Sequence, residues 1–409
     1  MRSLLVTGGG HVNFFPGLQT IRNAERLAGN IVLASLDGWK GIDGKRDGVV
    51  DITDIPVDSL RTLGGSFIGS SRTKPEHPDV VARNIRDLGI NVVYAFGGDD
   101  THGVSNTLHK YFGIPIVGWP KTMDNDTKGS YSTIGYETAA AKAAKETLES
   151  IANAYTHSRI VLLPMFGRNF DWIVAAAADY GHADYVVTAE RKDMELSTVV
   201  NDIISVYRRN QERYGKPFAV VVVSEGACRL DGIKKYFRGR IPETQEYQKD
   251  DFENIKLDID VLGLALKDAL AEEGIKGENV ALKPLTYHLR DPQLIPIGEQ
   301  FARLTAETCL KLARGGNFGR VATVQDPAYS GIWPSDERMR VETFGGPLVV
   351  DSVPVELASQ KRPLRDTGFF DYETLRPTPE MTRFLQKILG PKPEDPRNHI
   401  INFYRHTLN

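Results

Sequence analysis

The sequence predicts an α/β fold built from parallel sheets with helices on both faces. Short, continuously apolar segments alternate with segments of helical periodicity, the pattern of repeated β-α-β units. Several apolar segments stop abruptly at glycines or carboxylates, as in "SLLVTGGG", "INVVYAFGGDD" and "IPIVGWPKTMDND". The longest apolar runs, "IVLLPMF" and "FAVVVV", have strand length and are far too short to cross a bilayer.

Each element follows from its pattern. "SLLVTGGG" reads as a strand ended by glycines. "GLQTIRNAERLAG" places Leu18, Ile21 and Leu27 at helical spacing and stops at Gly29. "NIVLASL" is a second strand. "DVVARNIRDLG" is a helix with Val80, Val81, Ile85 and Leu88 on one face. "INVVYAF" is a strand, followed by a helix from about Thr101 to Phe112 and the short strand "IPIVGW". An alanine-rich helix spans about Thr133 to Tyr155, suited to packing on a sheet. "RIVLLPMF", "DYVVTA" and "FAVVVVSEGA" are the strands of a second half, with the helix "WIVAAAADYG" after the first of them. Residues 229–257 lose periodicity and read as a long surface excursion. "DIDVLGLALKDALAEEG" resumes a helix, and a final one lies near "EMTRFLQKIL".

The 409 residues leave room for two domains. Hydrophobic residues make up 41% and charged residues 25%, with a net charge of -3. No block of like charges is five long, which argues against nucleic-acid and polybasic membrane partners. "MRSLLVTGGG" lacks the apolar length of a signal peptide, and the "NDT" sequon at Asn125 is read as chance, so a cytoplasmic location is expected. Cys228 and Cys309 show no metal or disulfide spacing, and Cys228 reads as a small buried hydrophobe. No two of the nine histidines sit at metal-ligand spacing.

Chemistry gathers where strands end, because ligands of open α/β sheets bind at that edge. In "AFGGDDT", Gly97 and Gly98 would let backbone N–H groups approach phosphate oxygens, with a helix start behind them. Asp99 is placed for a metal that bridges phosphates. A tight turn with a capping aspartate is the alternative. There is no GxxxxGK[ST] and no GxGxxG, which removes P-loop and simple dinucleotide folds. In "PKTMDND", one carboxylate can act as general base toward a hydroxyl while a second orients the acceptor or a metal. Lys121 can neutralise charge on the transferred group. A polar turn is again the alternative, since Asp-Asn-Asp is good turn chemistry.

The two motifs in succession resemble the phosphofructokinase family. More of the chain is similar to that family: "LDGWKGI" near the N-terminus, "GGSFIGSSR" ending in Arg72, "RIVLLPMFGR" with Arg159 and Arg168, "SEGA" with Glu225, and "YHLR" with Tyr287 and Arg290. The matches keep the family's order from residue 36 to 290. At two positions they look like the pyrophosphate-dependent members. ATP-dependent members usually carry glycine where Asp100 and Lys121 stand. A carboxylate at 100 would repel the α-phosphate of ATP, and a lysine at 121 would complement compact pyrophosphate.

The resemblance implies two Rossmann-like α/β lobes with parallel-rich sheets and an active-site cleft between them. It places a donor lobe at 1–136 with a return after about 290, a sugar-phosphate lobe at 137–285, and a C-terminal extension at 340–409. It implies reversible, Mg²⁺-dependent transfer from pyrophosphate to the C1 hydroxyl of fructose 6-phosphate. Asp124 would be the base, with Asp126 near the same centre and Asp99 on the metal. Lys121, Arg72 and Arg168 would stabilise the transferred phosphoryl, and Gly9, Gly10, Gly98 and Asp100 would line the donor. Thr122, Phe166, Gly167, Glu225, Lys283, Tyr287 and Arg290 would bind the sugar phosphate. Arg159 would reach the 6-phosphate from a neighbouring subunit of a homodimer or homotetramer.

Departures from the family pattern fall mostly on the acceptor side. The first loop, "GGGHVNFFPGLQ", is longer than usual and ends in Gln19. Phe166 replaces a methionine, Pro164 a frequent glutamate and Ala281 an arginine, leaving Lys283 as the nearest cation. Lysine lacks the bidentate fork that grips a phosphate. Another sugar phosphate, a sugar or a nucleoside is therefore an alternative acceptor, with pyrophosphate or ATP as donor. A non-catalytic regulatory paralogue is an alternative of another class, opposed by the retained Asp99, Lys121, Asp124 and Asp126. A relative of the NAD or lipid kinases would explain only the GGD turn.

Overall fold

The computed structural model describes residues 1–9, 14–43, 46–57, 65–191, 193–229, 259–335 and 338–401. Gly10 and nearly all of the 229–257 excursion lie outside them. The described strands, in chain order, are β1 (Arg2–Thr7), β2 (Ile31–Ser35), β3 (Val49–Asp51), β4 (Val92–Gly97), β5 (Ile116–Thr122), β6 (Ile134–Gly135), β7 (Ile160–Met165), β8 (Tyr185–Val187), β9 (Ala219–Ser224), β10 (Val280–Leu282), β11 (Arg320–Gln325), β12 (Met339–Val341), β13 (Leu348–Pro354), β14 (Phe370–Asp371) and β15 (Arg376–Pro377), the last two forming a small antiparallel pair. The longer helices are α1 (Phe15–Leu27), α2 (Pro78–Asp87), α3 (Asp99–Phe112), α4 (Tyr136–Thr156), α5 (Trp172–Tyr180), α6 (Leu196–Tyr214), α7 (Ile259–Glu272), α8 (Pro296–Arg314) and α9 (Pro379–Leu389). None of the described helices is long and apolar enough to cross a membrane.

The described residues form two compact units. The first comprises 1–138 and 290–362, and the second 139–229, 259–289 and 363–401. The sequence-derived extension at 340–409 is therefore not a separate body. Residues up to 362 join the first unit because β13 pairs antiparallel with β11 and β12 with β13.

The first unit holds one sheet in the order β12-β13-β11-β5-β4-β1-β2-β3, with β6 beside β5. β1 is parallel to both β2 and β4. The chain runs outward from β1 through β2 to β3, then returns to the other side of β1 as β4. This reversal opens a crevice at the carboxyl ends of β1 and β4, where α/β sheets bind ligands. All six residues of β4, "VVYAFG", are buried, as expected for a strand covered on both faces. On one face Val81, Ile85, Val104 and Leu108 of α2 and α3 join Leu4, Val6, Val93 and Ala95. Elsewhere in the unit Phe96 stacks on Trp119 at 3.8 Å, and a side chain at Gly17 of α1 would collide with that indole.

β5 continues past "IPIVGW" through Pro120 to Thr122. Gly97 pairs with Pro120, and β6 pairs with Lys121 and Thr122. Lys121 is thus a strand residue rather than part of a loop.

The second unit has a four-stranded parallel sheet in the order β10-β7-β9-β8. β7 and β9 are wholly buried, which explains their unbroken apolar sequences. Their carboxyl ends carry "FGR" and "SEG" side by side.

Candidate active site

In the first unit the crevice is formed by close backbone approach. Gly8 N donates to Phe96 O at 2.6 Å. A Cβ on Gly8 or on Gly97 would land on the Thr101 hydroxyl, so only glycine lets β1, β4 and the first turn of α3 meet here. Gly98 caps α3 in extended conformation, and Asp99 and Asp100 occupy its first turn. Arg72 lies over Gly9, where an added Cβ would come 2.8 Å from Arg72 Cγ. Asp99 and Asp100 also line a cavity of about 290 Å³ with Lys74, Gly103, Thr107 and Ser359.

At the end of β5, Lys121 is fully buried. Its Nζ donates to Gly8 O at 2.9 Å and lies 5.8 Å from the Phe14 ring centre. Burial, with a smaller contribution from the Arg290 charge, brings its pKa down to about 7. The ammonium thus ties β5 to the end of β1.

The segment after β5 is a tight turn. Asn125 adopts φ 51°, which asparagine tolerates better than most residues, and its Oδ1 accepts Thr133 N at 3.0 Å. Asp124 N donates to Thr122 Oγ1 at 3.1 Å. Asp124 Oδ1 is buried without a hydrogen-bond partner. Burial raises the Asp126 carboxyl well above the usual range, and the Asp99 and Asp124 charges add to this. Asp99 is raised by burial as well, partly offset by Lys361, whose Nζ lies 3.8 Å from Asp99 Oδ2. Arg290 Nε donates to Met123 Sδ at 3.1 Å, which places Arg290 with this turn in the first unit.

No group of three or more His, Cys, Asp or Glu side chains among the described residues could enclose a metal unaided. Mg²⁺ needs no such cage, since it is commonly held by one or two carboxylates, waters and substrate phosphates. Mutually repelling carboxylates at Asp99, Asp124 and Asp126, with Asp124 Oδ1 unpartnered, fit that mode of binding.

In the second unit, Gly167 takes φ 145°, open mainly to glycine. Its N–H donates to Glu225 Oε2 at 3.3 Å, and its carbonyl accepts Ser224 Oγ at 3.4 Å. The ends of β7 and β9 are thereby locked together, with Arg168 next in the chain. Phe166 meets Tyr287 edge-to-face at 5.3 Å, and Tyr287 is 61% exposed. Phe166, Gly167, Arg168, Glu225 and Tyr287 therefore gather at one sheet edge.

Lys283 and Arg159, both expected as sugar-phosphate ligands, make their contacts within their own unit. Lys283 Nζ pairs with Glu146 Oε2 at 2.7 Å, and Glu146 also takes Lys142 at 2.8 Å. These two ammonium groups, Lys142 foremost, hold the Glu146 carboxyl down at about 2. Arg159 precedes β7 and donates from Nε to Asn153 Oδ1 at 3.0 Å. It stands at the amino end of that strand, roughly 20 Å along the chain from Phe166. Sequence reasoning missed Lys361 altogether. The turn at Asn125 is the one that the Asp-Asn-Asp run offered as an alternative, and it holds the carboxylates in place.

The family described as Phosphofructokinase matches residues 17–267. An ATP-dependent 6-phosphofructokinase of Corynebacterium efficiens is 30% identical, over 59% of this chain and 70% of its own. A pyrophosphate–fructose 6-phosphate 1-phosphotransferase of Streptomyces coelicolor is 31% identical, over 57% of this chain and 67% of its own. The crystal structure of a pyrophosphate-dependent phosphofructokinase from Marinobacter aquaeolei superposes with a TM-score of 0.72, covering 96% of this chain and 92% of that one at 17% identity. That structure shares the fold.

Proposed function

The chain belongs to the phosphofructokinase family, and on that premise we propose that it transfers a phosphoryl group reversibly from pyrophosphate to the C1 hydroxyl of fructose 6-phosphate, with Mg²⁺. The observation that carries the donor choice is the pair Asp100 and Lys121. Asp100 puts a carboxylate on the cavity beside α3, where the inner phosphate of a nucleotide would meet repulsion. Lys121 sets its Nζ beneath the Gly8 end of β1, where a compact, highly charged donor would favour its protonated form.

Asp124 is the general base: an oxygen without a partner is ready to accept the hydroxyl proton. Asp99 would hold the divalent cation, with Asp126 beside it. When bound, the cation neutralises charge between the two phosphates. Arg72 supplies further positive charge toward the transferred group. In the second unit, Glu225, Tyr287, Phe166 and Gly167 form a cluster suited to a sugar acceptor; in the first, Thr122 and Arg290 belong to the turn that bears the base.

A second reading, transfer to a different acceptor, is favoured by one observation. The cation nearest the family's phosphate-binding arginine, Lys283, is already paired with Glu146, and aromatic Phe166 and Tyr287 face each other nearby. The test is turnover of fructose 6-phosphate with Mg²⁺ and either pyrophosphate or ATP. Turnover with pyrophosphate alone supports the proposal. Turnover with ATP alone refutes the donor assignment. Turnover with neither, but activity on another sugar or a nucleoside with pyrophosphate, selects the second reading.

A further inference from the structure

We infer that Lys361 contacts the phosphates of the phosphoryl donor, an inference that rests on the phosphotransferase reading above. This residue lies beyond the segment that carries the family motifs, and its local sequence, "SQKRPL", announces no chemistry.

Its position is set by a short antiparallel bridge. Lys361 stands opposite Thr127, one residue past Asp126. Arg362 N donates to Asp126 O at 2.7 Å, and Lys128 N donates to Gln360 O at 3.0 Å. Arg362 Nη1 then anchors the strap by donating to Ser130 O at 2.6 Å and to Tyr131 O at 3.0 Å. Neighbouring side chains of an extended segment point to opposite sides. Anchoring Arg362 on one side sends Lys361 to the other, toward Asp99.

The resulting geometry leaves Lys361 available. Its Nζ is 3.8 Å from Asp99 Oδ2, within ion-pair range but beyond a hydrogen bond. The lysine side chain is 44% exposed while that of Asp99 is 16% exposed. The ammonium therefore sits at the mouth of the acidic cluster with N–H groups to offer. Ser359, two residues earlier in the same strap, lines the cavity shared by Asp99 and Asp100.

Charge balance supplies the reason for a cation at this place. Three carboxylates, Asp99, Asp124 and Asp126, face a donor that is itself polyanionic. Lys121 gives its bond to the Gly8 carbonyl from a fully buried position. Lys361 is the cation that the return of the chain sets beside Asp99, on a backbone held by hydrogen bonds to the catalytic turn. A lysine so placed can follow the donor's phosphate oxygens while its stem stays fixed.

The experiment is calorimetric titration of wild type, Lys361→Met and Lys361→Arg with two non-hydrolysable donors in Mg²⁺: methylenediphosphonate and β,γ-methylene-ATP. Lys361→Met is expected to bind the analogue that wild type prefers about ten- to a hundredfold more weakly, the range for losing a charged hydrogen bond. Lys361→Arg should recover most of that loss. The melting temperature should stay close to wild type, because exposed ion pairs contribute little to folding. In kinetics the donor KM should rise with the acceptor KM unchanged. Wild-type affinity in Lys361→Met overturns the inference. Which analogue wild type prefers judges the pyrophosphate assignment separately, and binding of neither overturns both.

Discussion

Glu137 offers a quantitative check on the core of the first unit. It lies in the first turn of α4, fully buried, against Gly298 of α8. Its Oε1 accepts Gly135 N at 3.1 Å, while Oε2 has no partner. Burial raises its pKa from 4.5 to about 7. Below about pH 4.5 the carboxyl is protonated in both folded and unfolded chains, and it costs nothing. Between 4.5 and 7 the unfolded chain ionises while the folded one stays neutral, so stability is lost as pH rises. Above 7 the loss is complete. The span of 7 − 4.5, or 2.5 pKa units, at about 1.4 kcal/mol per unit, gives a loss of about 3 kcal/mol. Glu137→Gln removes this titration. Its amide nitrogen inherits the unpartnered site, so its absolute stability will be lowered by about 1–3 kcal/mol. The diagnostic quantity is therefore the difference between the two proteins as a function of pH. Denaturant unfolding from pH 4.5 to 8 should show the variant gaining about 3 kcal/mol on wild type. Parallel curves would refute a carboxyl buried neutral at this position.

Three further outcomes follow from the same geometry. Asp124→Ala should lower kcat by about 10²- to 10⁴-fold with little change in donor KM, since a general base acts in the transition state; a comparable rise in donor KM would make it a binding residue instead. Asp100→Gly should raise the ratio of ATP to pyrophosphate turnover, measured with both donors in parallel. It is a cleaner test than any change at Lys121, whose removal would also open a buried site. Gly8→Ala should destabilise by about 1–3 kcal/mol through overpacking on Thr101, and Thr101→Ala in the same chain should restore part of the loss; no rescue in thermal melts would mean the contact is not limiting.

The local chemistry of the strand-end clusters in each unit was legible because it is written in short contiguous segments. "VVYAFG" and "AVVVVS" were readable as strands because central parallel strands bury both faces and leave no polar residues to blur the run. The full reach of β5 was not readable. Proline at 120 looks like a terminator, and only pairing with β4 and β6 carries the strand to Thr122. A shift to segments rich in Pro, Asp and Arg from about Lys361 was visible in the sequence, but which unit receives residues 340–362 was not, because that depends on the pairing of β12 with β13 and of β13 with β11.

The sequence by itself determined the family, the two α/β halves, the acidic cluster and the glycine crevice. These depend on residue type and spacing within a few positions. Tertiary structure alone decided where the long cationic side chains go: Lys121 to the Gly8 carbonyl, Lys283 to Glu146, Arg290 to Met123 in the turn after β5, Lys361 to Asp99. A lysine or arginine has a flexible stem and can reach any carboxylate or carbonyl within several ångströms. Its partner is chosen by whichever distant segment the fold brings near, and nothing in the neighbouring residues encodes that choice.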